Sequence, residues 1–353
     1  MIRVLVVDDS AFMRKVISDA INRNEDMTVA ATARNGVEAI EKLRYVKVNV
    51  ITLDVEMPQK NGLDTLKEIM EVSPHPVVMV SSATQQGALQ TIAAMELGAV
   101  DFVAKPSGPI SLDFDLVRKE LIEKIKIASE AFHQSILTKE KKVEITRSPP
   151  PLHPSNLMLK KKVIAIGTST GGPRALQQLF SDLPGTLAAP LLIVQHMPAG
   201  FTQSLAKRLN DMSELTVKEA EDGEVARNGV AYIAPGGKHV TVKNSGEALV
   251  LNLLDTPPHN NHKPSVDTLF TSLADIAGYS VVAVIMTGMG ADGAVGIQKL
   301  KEKKSNIALA QSEGTSIVFG MPKAAAQTGQ IDEVVPLFNM SKSILRYMEK
   351  DYS

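Results

Sequence analysis

Ser169 is the residue whose surroundings most directly indicate chemistry. It lies in the pentapeptide GTSTG (167–171), after the apolar run Val163–Ile166. The pattern G-x-S-x-G is typical of a sharp turn between a strand and a helix that exposes a nucleophilic serine. Backbone N–H groups at the start of that helix would stabilise an oxyanion, but the same turn could hold a phosphate. The turn alone therefore predicts either a serine nucleophile or an anion-binding loop.

A serine nucleophile needs a base, and the base needs an acid that orients it. His196 follows the apolar run Leu191–Gln195, and Asp292 lies in the glycine-rich loop after Val281–Met286. Each residue thus stands beyond the carboxyl end of a predicted strand, as Ser169 does. We favour Ser169, His196 and Asp292, in that chain order, as a catalytic triad.

Other residues could take the roles of base and acid. Asp292 could simply cap the helix that follows it, and His239 could replace His196 as the base. Asp255 with His259 or His262 would give the chain order of the α/β-hydrolases, in which the acid precedes the histidine. Those three residues stand in a polar, proline-containing loop that is more typical of a substrate-facing segment.

Polar residues also follow four apolar runs in the first third of the chain. Asp8 and Asp9 follow the first run, and Asp54 follows the third. Ser81 follows the fourth run, and Lys105 follows the fifth. Carboxylates that meet at one sheet edge favour a hard cation such as Mg²⁺, which also binds phosphoryl oxygens. Lys105 would add the positive charge that phosphate sites often use.

The elements that would position these side chains alternate along the chain. Residues 1–132 contain five apolar runs separated by amphipathic segments, which predicts a parallel sheet with helices on both faces. The runs are Val4–Val7, Val29–Ala33, Val50–Leu53, Val77–Val80 and Val100–Val103. From residue 163 the pattern restarts, which predicts a second doubly wound, mainly parallel α/β domain. In such sheets ligands bind beyond the carboxyl ends of the strands.

Length and composition limit the class of protein. The 353 residues suffice for about two domains. With 38 basic and 39 acidic residues the net charge is −1, which argues against electrostatic binding of nucleic acid by the chain as a whole. The absence of cysteine excludes disulfides, thiol nucleophiles and thiolate metal sites. No apolar run approaches the roughly 18 residues of a membrane helix, so we expect a cytoplasmic protein.

A basic segment separates the two predicted domains. Residues 133–162 hold seven basic and two acidic side chains, together with Pro149–Pro151 and Pro154. This composition predicts an exposed, semi-stiff linker. We therefore divide the chain into a first domain at 1–132, a linker at 133–162 and a catalytic domain at 163–353.

The first domain resembles the receiver domain of response regulators over its full length. The matching motifs are VLVVDDS (4–10), ITLDVEMP (51–58), MVSS (79–82) and AKP (104–106). The resemblance implies a flavodoxin-like fold of five parallel strands and phosphorylation of Asp54 by a chemotaxis histidine kinase. It also implies the roles of the neighbouring residues: Mg²⁺ held by Asp8, Asp9, Asp54 and the backbone carbonyl of Glu56, phosphoryl contacts from Ser81 and Lys105, and an aromatic switch at Phe102.

Residues 163–340 resemble the catalytic domain of the chemotaxis protein-glutamate methylesterases. The matching motifs are IGTSTGGP (166–173), VQHMPAGFT (194–202), YIAPGG (232–237), PSVDTLF (264–270) and MTGMGADGA (286–294). The resemblance places the triad on Ser169, His196 and Asp292, and the oxyanion-binding N–H groups on Thr170 and Met289. It implies hydrolysis of glutamyl methyl esters on methyl-accepting chemoreceptors and deamidation of receptor glutamines, with no cofactor in the catalytic domain.

The family also implies how the two domains work together. The unphosphorylated receiver would restrain the esterase, phosphorylation would release it, and the chain would approach the membrane only through its receptors. Two other classes of protein fit a receiver domain. A transcription factor would need a basic, helical output domain, whereas residues 163–353 carry a net charge of −2. A phosphorylation-dependent scaffold would use the Ser169 turn to bind a ligand without catalysis.

Overall fold

Two units make up the chain in the computed structural model, one from Met1 to Lys139 and one from Glu140 to Ser353. The structure describes residues 1–82, 84–105, 114–137, 161–303 and 305–349. Within these ranges no helix is both long and apolar enough to cross a membrane.

The first unit is a five-stranded parallel sheet in the order β2-β1-β3-β4-β5. Every residue of the central strands β3 and β4 is buried, as expected for strands covered by helices on both faces. The fold class predicted for this domain is confirmed. Its elements are β1 (Ile2–Val7), α1 (Ala11–Asn22), β2 (Met27–Ala33), α2 (Gly36–Leu43), β3 (Val50–Asp54), α3 (Gly62–Val72), β4 (Val77–Ser81), α4 (Gln85–Glu96), β5 (Asp101–Ala104) and α5 (Phe114–Leu137).

The first four helices begin at residues whose side chains cap them. In each case the side-chain oxygen of the N-cap residue accepts a hydrogen bond from the backbone N–H three residues later. Such caps satisfy one of the N–H groups that a helix start leaves without a partner. The four N-cap residues are Ser10, Asn35, Asn61 and Thr84.

The last helix of the first unit extends beyond the boundary predicted from the sequence. Helix α5 ends at Leu137, whereas we placed the start of the linker at residue 133. The segment 133–137 contains neither proline nor glycine, so nothing in it stops a helix. The proline-containing part of the predicted linker lies outside the described residues, and the next strand begins at Lys161.

The second unit is built around a seven-stranded parallel sheet in the order β14-β13-β12-β6-β7-β9-β8, with β10 and β11 forming an antiparallel pair. The predicted doubly wound, mainly parallel fold is confirmed. Its elements are β6 (Lys161–Thr168), α6 (Gly172–Ser181), β7 (Leu191–Gln195), α7 (Phe201–Met212), β8 (Thr216–Glu219), β9 (Val230–Ile233), β10 (His239–Ser245), β11 (Ala248–Leu254), α8 (Val266–Ala274), β12 (Tyr279–Ile285), α9 (Ala294–Lys301), β13 (Ile307–Gln311), α10 (Met321–Gln327), β14 (Glu333–Val335) and α11 (Leu337–Glu349).

Strand β6 lies at the centre of this sheet, where the strand order reverses. Its neighbours are β7 on one side and β12 on the other. A switch point of this kind opens a crevice beyond the carboxyl ends of the strands. The loops after β6, β7 and β12 carry Ser169, His196 and Asp292, so three adjacent strands bring these residues to one edge of the sheet.

Candidate active site

Ser169 occupies a tight turn between β6 and α6. Gly171 has a φ of +77°, a conformation that favours glycine. The side chain of Gln195 clamps the turn, since its Nε2 donates a hydrogen bond of 3.0 Å to the carbonyl of Ser169. A Cβ atom on Gly172 would lie 1.9 Å from Gln195 Oε1, so the turn requires a residue without a side chain there. The sequence analysis did not identify Gln195 as a positioning residue.

His196 lies beside the turn because β7 pairs directly with β6. Its backbone N–H donates to the carbonyl of Thr168, and its ring Nε2 lies 2.8 Å from Asp292 Oδ2. Among the described residues, its buried Nδ1 has no hydrogen-bond partner. Because Nε2 is engaged with the carboxylate, Nδ1 is the ring nitrogen that is left to accept a proton from a hydroxyl.

Asp292 is held as an anion by donors from the start of α8. Its Oδ1 accepts from Ser265 Oγ at 2.9 Å and from the N–H of Asp267 at 3.0 Å. Its Oδ2 accepts from the N–H of Val266 at 2.7 Å. Burial disfavours the charge, but the hydrogen bonds from His196 and from these amides outweigh it and hold the pKa of Asp292 below its usual value. The alternative in which Asp292 caps the following helix is wrong, because the carboxylate caps α8 instead.

Asp267, in the first turn of α8, caps the helix that follows Asp292, so α8 and the loop that carries Asp292 cap each other's helices. Its Oδ1 accepts from the N–H groups of Gly293 and Gly296 at 2.9 and 2.7 Å. Burial raises the pKa of Asp267, and the nearby negative charge of Asp292 adds to this. Its buried Oδ2 has no hydrogen-bond partner in the part of the chain that the structure describes, and it lies 4.0 Å from His259 Nε2. Of the two carboxyls, Asp267 therefore takes up a proton first. The sequence analysis missed Asp267, although it lies within the matching motif PSVDTLF (264–270).

The other candidate bases and acids are engaged elsewhere. Asp255 is exposed and pairs with Lys263 at 2.5 Å. His239 Nε2 lies 3.1 Å from the carbonyl oxygen of Pro257. His262 lies flat against His196, with ring centroids 3.9 Å apart and an angle of 6° between the planes. Asp255 thus makes no triad with His262, which contacts the favoured base instead.

The loop after β12 packs directly against Ser169. A Cβ atom on Gly288 would lie 2.8 Å from the Cβ of Ser169, so the backbone of the loop touches the serine. Thr287 fixes this approach, since its carbonyl accepts from the N–H of Ser169 and its hydroxyl donates to the carbonyl of Thr170. Met289 follows Gly288, and its side chain is 36% exposed. Thr170 is thus next to Ser169 along the chain, and Met289 follows the glycine that contacts Ser169.

The first unit has a separate acidic site at the carboxyl ends of β1 and β3. Lys105 Nζ lies 2.7 Å from Asp54 Oδ2 and 3.1 Å from Asp8 Oδ2. Burial raises the pKa of Asp54 to about 6, and Asp8 adds to this, although the hydrogen bond from Lys105 opposes the rise. One lysine therefore balances two buried carboxyls, those of Asp8 and Asp54.

The same site has the donor set of a divalent-cation site. Carboxylate oxygens of Asp8, Asp9 and Asp54 lie within 4.8 Å of one another. Oxygen donors at this spacing fit Mg²⁺, which binds through one or two carboxylates and keeps several waters. The backbone N–H of Glu56 donates to Asp54 Oδ1 at 3.3 Å, which places the Glu56 backbone beside the cluster.

The predicted phosphoryl contact and switch residues lie on the neighbouring strands. Ser81 ends β4, and its carbonyl accepts a 2.7 Å hydrogen bond from the backbone N–H of Lys105. Phe102 on β5 is buried. Lys124 Nζ lies 5.1 Å from the centre of its ring and donates to its carbonyl at 2.5 Å. The aromatic side chain thus points inward in this structure.

Two family descriptions match the chain. The family described as CheB methylesterase matches residues 164–344, and the response regulator receiver domain matches residues 4–114. The catalytic domain of Thermotoga maritima CheB methylesterase, solved as a crystal structure, is similar to this chain with a TM-score of 0.51 and 41% identity. That match covers 54% of this chain and 99% of the crystallised one.

Similarity to full-length relatives extends over nearly the whole chain. A protein-glutamate methylesterase/protein-glutamine glutaminase of Geobacillus kaustophilus is 53% identical over 345 residues, which are 98% of each chain. The protein of the same name from Bacillus subtilis is 48% identical over 99% of each chain. The resemblance seen in the motifs is confirmed, and the chain belongs to the family of protein-glutamate methylesterases/protein-glutamine glutaminases, which joins a receiver domain to a CheB methylesterase domain.

Proposed function

We propose that this protein hydrolyses methyl esters of glutamate side chains on chemoreceptors, releases methanol and is activated by phosphorylation at Asp54. The single observation that carries the hydrolytic part is the pair formed by His196 and Asp292 beside the Ser169 turn. Their 2.8 Å contact leaves the free ring nitrogen of His196 on the side away from the carboxylate. No cofactor is needed for this chemistry.

The reaction begins with attack of Ser169 Oγ on the ester carbonyl carbon. His196 Nδ1 takes the hydroxyl proton while the new carbon–oxygen bond forms, and Asp292 stabilises the resulting imidazolium through Nε2. The bond to the methoxy group then breaks, and His196 returns the proton so that methanol leaves. Water then attacks the acyl-enzyme while His196 takes its proton. The bond to Ser169 Oγ breaks, His196 returns the proton to the serine, and a glutamate carboxylate is the product.

The backbone N–H groups of Thr170 and Met289 would bind the oxyanion of the tetrahedral intermediate. The support for this role is the contact of Ser169 with the loop around Gly288. Loss of one such donor typically costs about 3 to 4 kcal/mol of transition-state stabilisation. An amide in place of the ester would pass through the same intermediate and release ammonia, which accounts for deamidation of receptor glutamines.

In the first unit, Asp54 would accept the phosphoryl group from a chemotaxis histidine kinase. Bound Mg²⁺, held by Asp8, Asp9, Asp54 and the carbonyl of Glu56, would neutralise the negative charge of the transferred phosphoryl group. Lys105 would pair with the phosphoryl oxygens, Ser81 would donate a hydrogen bond to them, and Phe102 would respond to the movement of Ser81. The support for Asp54 is its burial at the strand edge, next to the lysine.

The proposed functional division of the chain follows from these two sites. Residues 1–137 would form the regulatory domain, 138–160 the connection and 161–353 the esterase, since α5 ends at Leu137 and β6 begins at Lys161. The substrate receptors would be the protein's only link to a membrane, and we propose the cytoplasm as its location. Nothing in the balance of charges calls for a nucleic-acid partner.

The test is methanol release from methylated chemoreceptor membranes, with and without Mg²⁺ and a small phosphodonor. We expect release that rises when the donor is added, and none from Ser169→Ala, which should still be phosphorylated. Release that ignores the donor would leave the esterase but remove the regulatory part of the proposal. No release from wild type on receptors shown to be methylated would favour the scaffold.

A further inference from the structure

The flat contact between His262 and His196 is not used by the mechanism described above. The two rings are nearly parallel, at 6°, with centroids 3.9 Å apart. Aromatic rings this close share a large apolar contact area and exclude water from the covered face. One face of the candidate base is therefore covered by a second imidazole.

His262 is fixed in this position by its own backbone. Its N–H and carbonyl exchange hydrogen bonds of 2.9 and 3.0 Å with those of His259. Between them, Asn260 and Asn261 have φ angles of +49° and +66°, which is the signature of a type I′ turn. Asparagine tolerates this left-handed conformation better than most residues do. The turn is thus locally encoded, and it presents the His262 ring from a rigid support.

The same segment then continues into the residues that hold Asp292. Ser265, three positions after His262, is the N-cap residue of α8, and the first N–H groups of this helix bind the carboxylate. One stretch of chain therefore contacts both the flat face of His196 and the acid bonded to its Nε2. A shift of this stretch would move both neighbours of the base together.

The hydrogen bond between Nε2 and Asp292 does not by itself fix the plane of the His196 ring. A single hydrogen bond fixes the position of one ring atom but not the plane of the ring. The direction of Nδ1, which must meet the serine hydroxyl, depends on that plane. A flat neighbour at van der Waals distance removes the rotation, because any tilt of one ring would collide with the other.

The electrostatic state of His262 suits this role. Burial, together with the neighbouring His196, lowers the pKa of His262 to about 4, against the opposing effect of Asp292. His262 is therefore uncharged at neutral pH, and it does not repel the imidazolium that forms during the reaction. Among the described residues, the titratable groups that face His196 are Asp292 and His262, with Asp267 behind Asp292.

We propose that His262 is a positioning residue for the esterase reaction, whose neutral ring fixes the plane of His196 and shields one face of it from water. The inference rests on the proposed roles of Ser169 and His196. A ring that only fills space would affect stability, whereas a ring that positions and shields the base would also change the rate of acylation and its dependence on pH.

The experiment compares three substitutions in the full-length protein: His262→Ala, His262→Gln and His262→Phe. Glutamine keeps a polar side chain without a ring, and phenylalanine keeps the flat ring without a titrating group. Because the plane of the base is then no longer fixed, we expect the Ala and Gln variants to lose about tenfold in kcat for methanol release, equivalent to about 1.4 kcal/mol, with KM changed less than about twofold. The Phe variant should stay within about threefold of wild type.

The pH profile separates positioning and shielding from simple packing. Without the covering ring, water reaches the imidazolium and stabilises it, so the acid limb of kcat/KM should move to higher pH by about half a unit in the Ala and Gln variants. It should stay in place in the Phe variant. Thermal unfolding of each variant checks folding, and if the Ala variant does not fold, the Gln and Phe variants decide.

Two results would overturn the inference. One is an acid limb that stays in place in the variants without a ring, and the other is a Phe variant as slow as the Gln variant. Ser169→Ala, tested alongside, separates this failure from failure of the triad. If Ser169→Ala is inactive while the His262 variants behave like wild type, only the role of His262 is lost. If Ser169→Ala remains active, the proposed function itself fails.

Discussion

Asp54 and Asp292 are both buried carboxyls at the carboxyl edge of a parallel sheet, yet their surroundings shift their pKa values in opposite directions. Asp54 has one lysine, shared with Asp8, and burial raises its pKa to about 6. Asp292 accepts from two backbone N–H groups and a hydroxyl and contacts an imidazole, so its pKa lies below the usual value. The carboxylate that we propose as the nucleophile toward phosphorus is poorly solvated, whereas the one that we propose must stay charged is surrounded by donors.

Removal of the negative charge of Asp292 should have the largest effect on activity. We expect Asp292→Asn to lower kcat for methanol release by about 10³ to 10⁴, the size of the loss in other serine hydrolases whose histidine loses its charged partner. The amide would bond to Nε2 without stabilising the imidazolium. Methanol release under saturating substrate measures this.

Asp255→Asn is the matched control for that substitution. Asp255 is the acid of the alternative triad, but it is exposed and paired with Lys263. Its substitution should leave kcat within about twofold of wild type, as surface ion pairs contribute little. A loss of activity in Asp255→Asn comparable with that in Asp292→Asn would return the acid role to Asp255.

The second prediction concerns phosphorylation at the other carboxyl. Asp54→Asn should abolish the rise in methanol release caused by a phosphodonor, because the amide cannot form an acyl phosphate, while basal release stays the same. Asp64→Asn, on the adjacent helix α3 of the same domain, should keep the full response. Stimulation of Asp54→Asn equal to wild type would place the phosphorylation site elsewhere.

The third prediction uses pH to sharpen the contrast. Asp54 has a pKa of about 6 when folded and an ordinary value of 3.8. Between these values the folded state binds more protons than the unfolded state, so stability of the first domain falls as pH rises from about 4 to about 6. A gap of two units corresponds to about 3 kcal/mol at neutral pH. Asp292 has the opposite sign, since its contribution is present at neutral pH and is lost as pH falls below the ordinary value.

Calorimetry of the full-length protein can measure how the contributions of Asp54 and Asp292 to stability depend on pH. At pH 7 the transition of the first domain should occur at higher temperature in Asp54→Asn than in wild type, and the difference should vanish near pH 4. The transition of the second domain should be lower in Asp292→Asn at pH 7. An Asp54→Asn protein less stable than wild type at pH 7 would mean that Lys105 more than compensates the burial of Asp54.

Much of the geometry behind this comparison follows from the sequence. Apolar runs followed by polar residues predicted both sheets and placed Ser169, His196 and Asp292 beyond strand ends. The resemblance of the motifs to one family then assigned these three positions to a single catalytic triad. The reason is local: a buried parallel strand must be apolar, and its carboxyl end is where the chain turns toward a helix.

The parts that could not be predicted depend on contacts between distant segments. Strand β12 pairs with β6 although more than a hundred residues separate them, and no local pattern fixes that order. The capping of α8 by Asp292 and of α9 by Asp267 depends on this pairing. His262 stood in a polar loop as an alternative base, and its contact with His196 depends on the turn at Asn260 and Asn261.

The smallest expected effect tests how far the cross-capping supports Asp292. Asp267→Asn keeps an oxygen that can accept from Gly293 and Gly296, so kcat should change less than about threefold. Asp267→Ala loses both hydrogen bonds and should cost about 1 to 2 kcal/mol of stability, the usual range for an N-cap. Because the loop that carries Asp292 is then less well held, kcat should fall by about tenfold, the equivalent of 1.4 kcal/mol.

Ser10→Ala is the matched control in the other domain. Ser10 caps α1 by accepting from the N–H of Met13, so its loss should destabilise the first domain by a similar amount. Basal methanol release should nevertheless stay unchanged, because α1 lies far along the chain from the esterase residues and in a separate unit. If Asp267→Ala lost stability like Ser10→Ala but kept its full kcat, the cap would serve the fold alone, and the donors on α8 would suffice to keep Asp292 charged and in place.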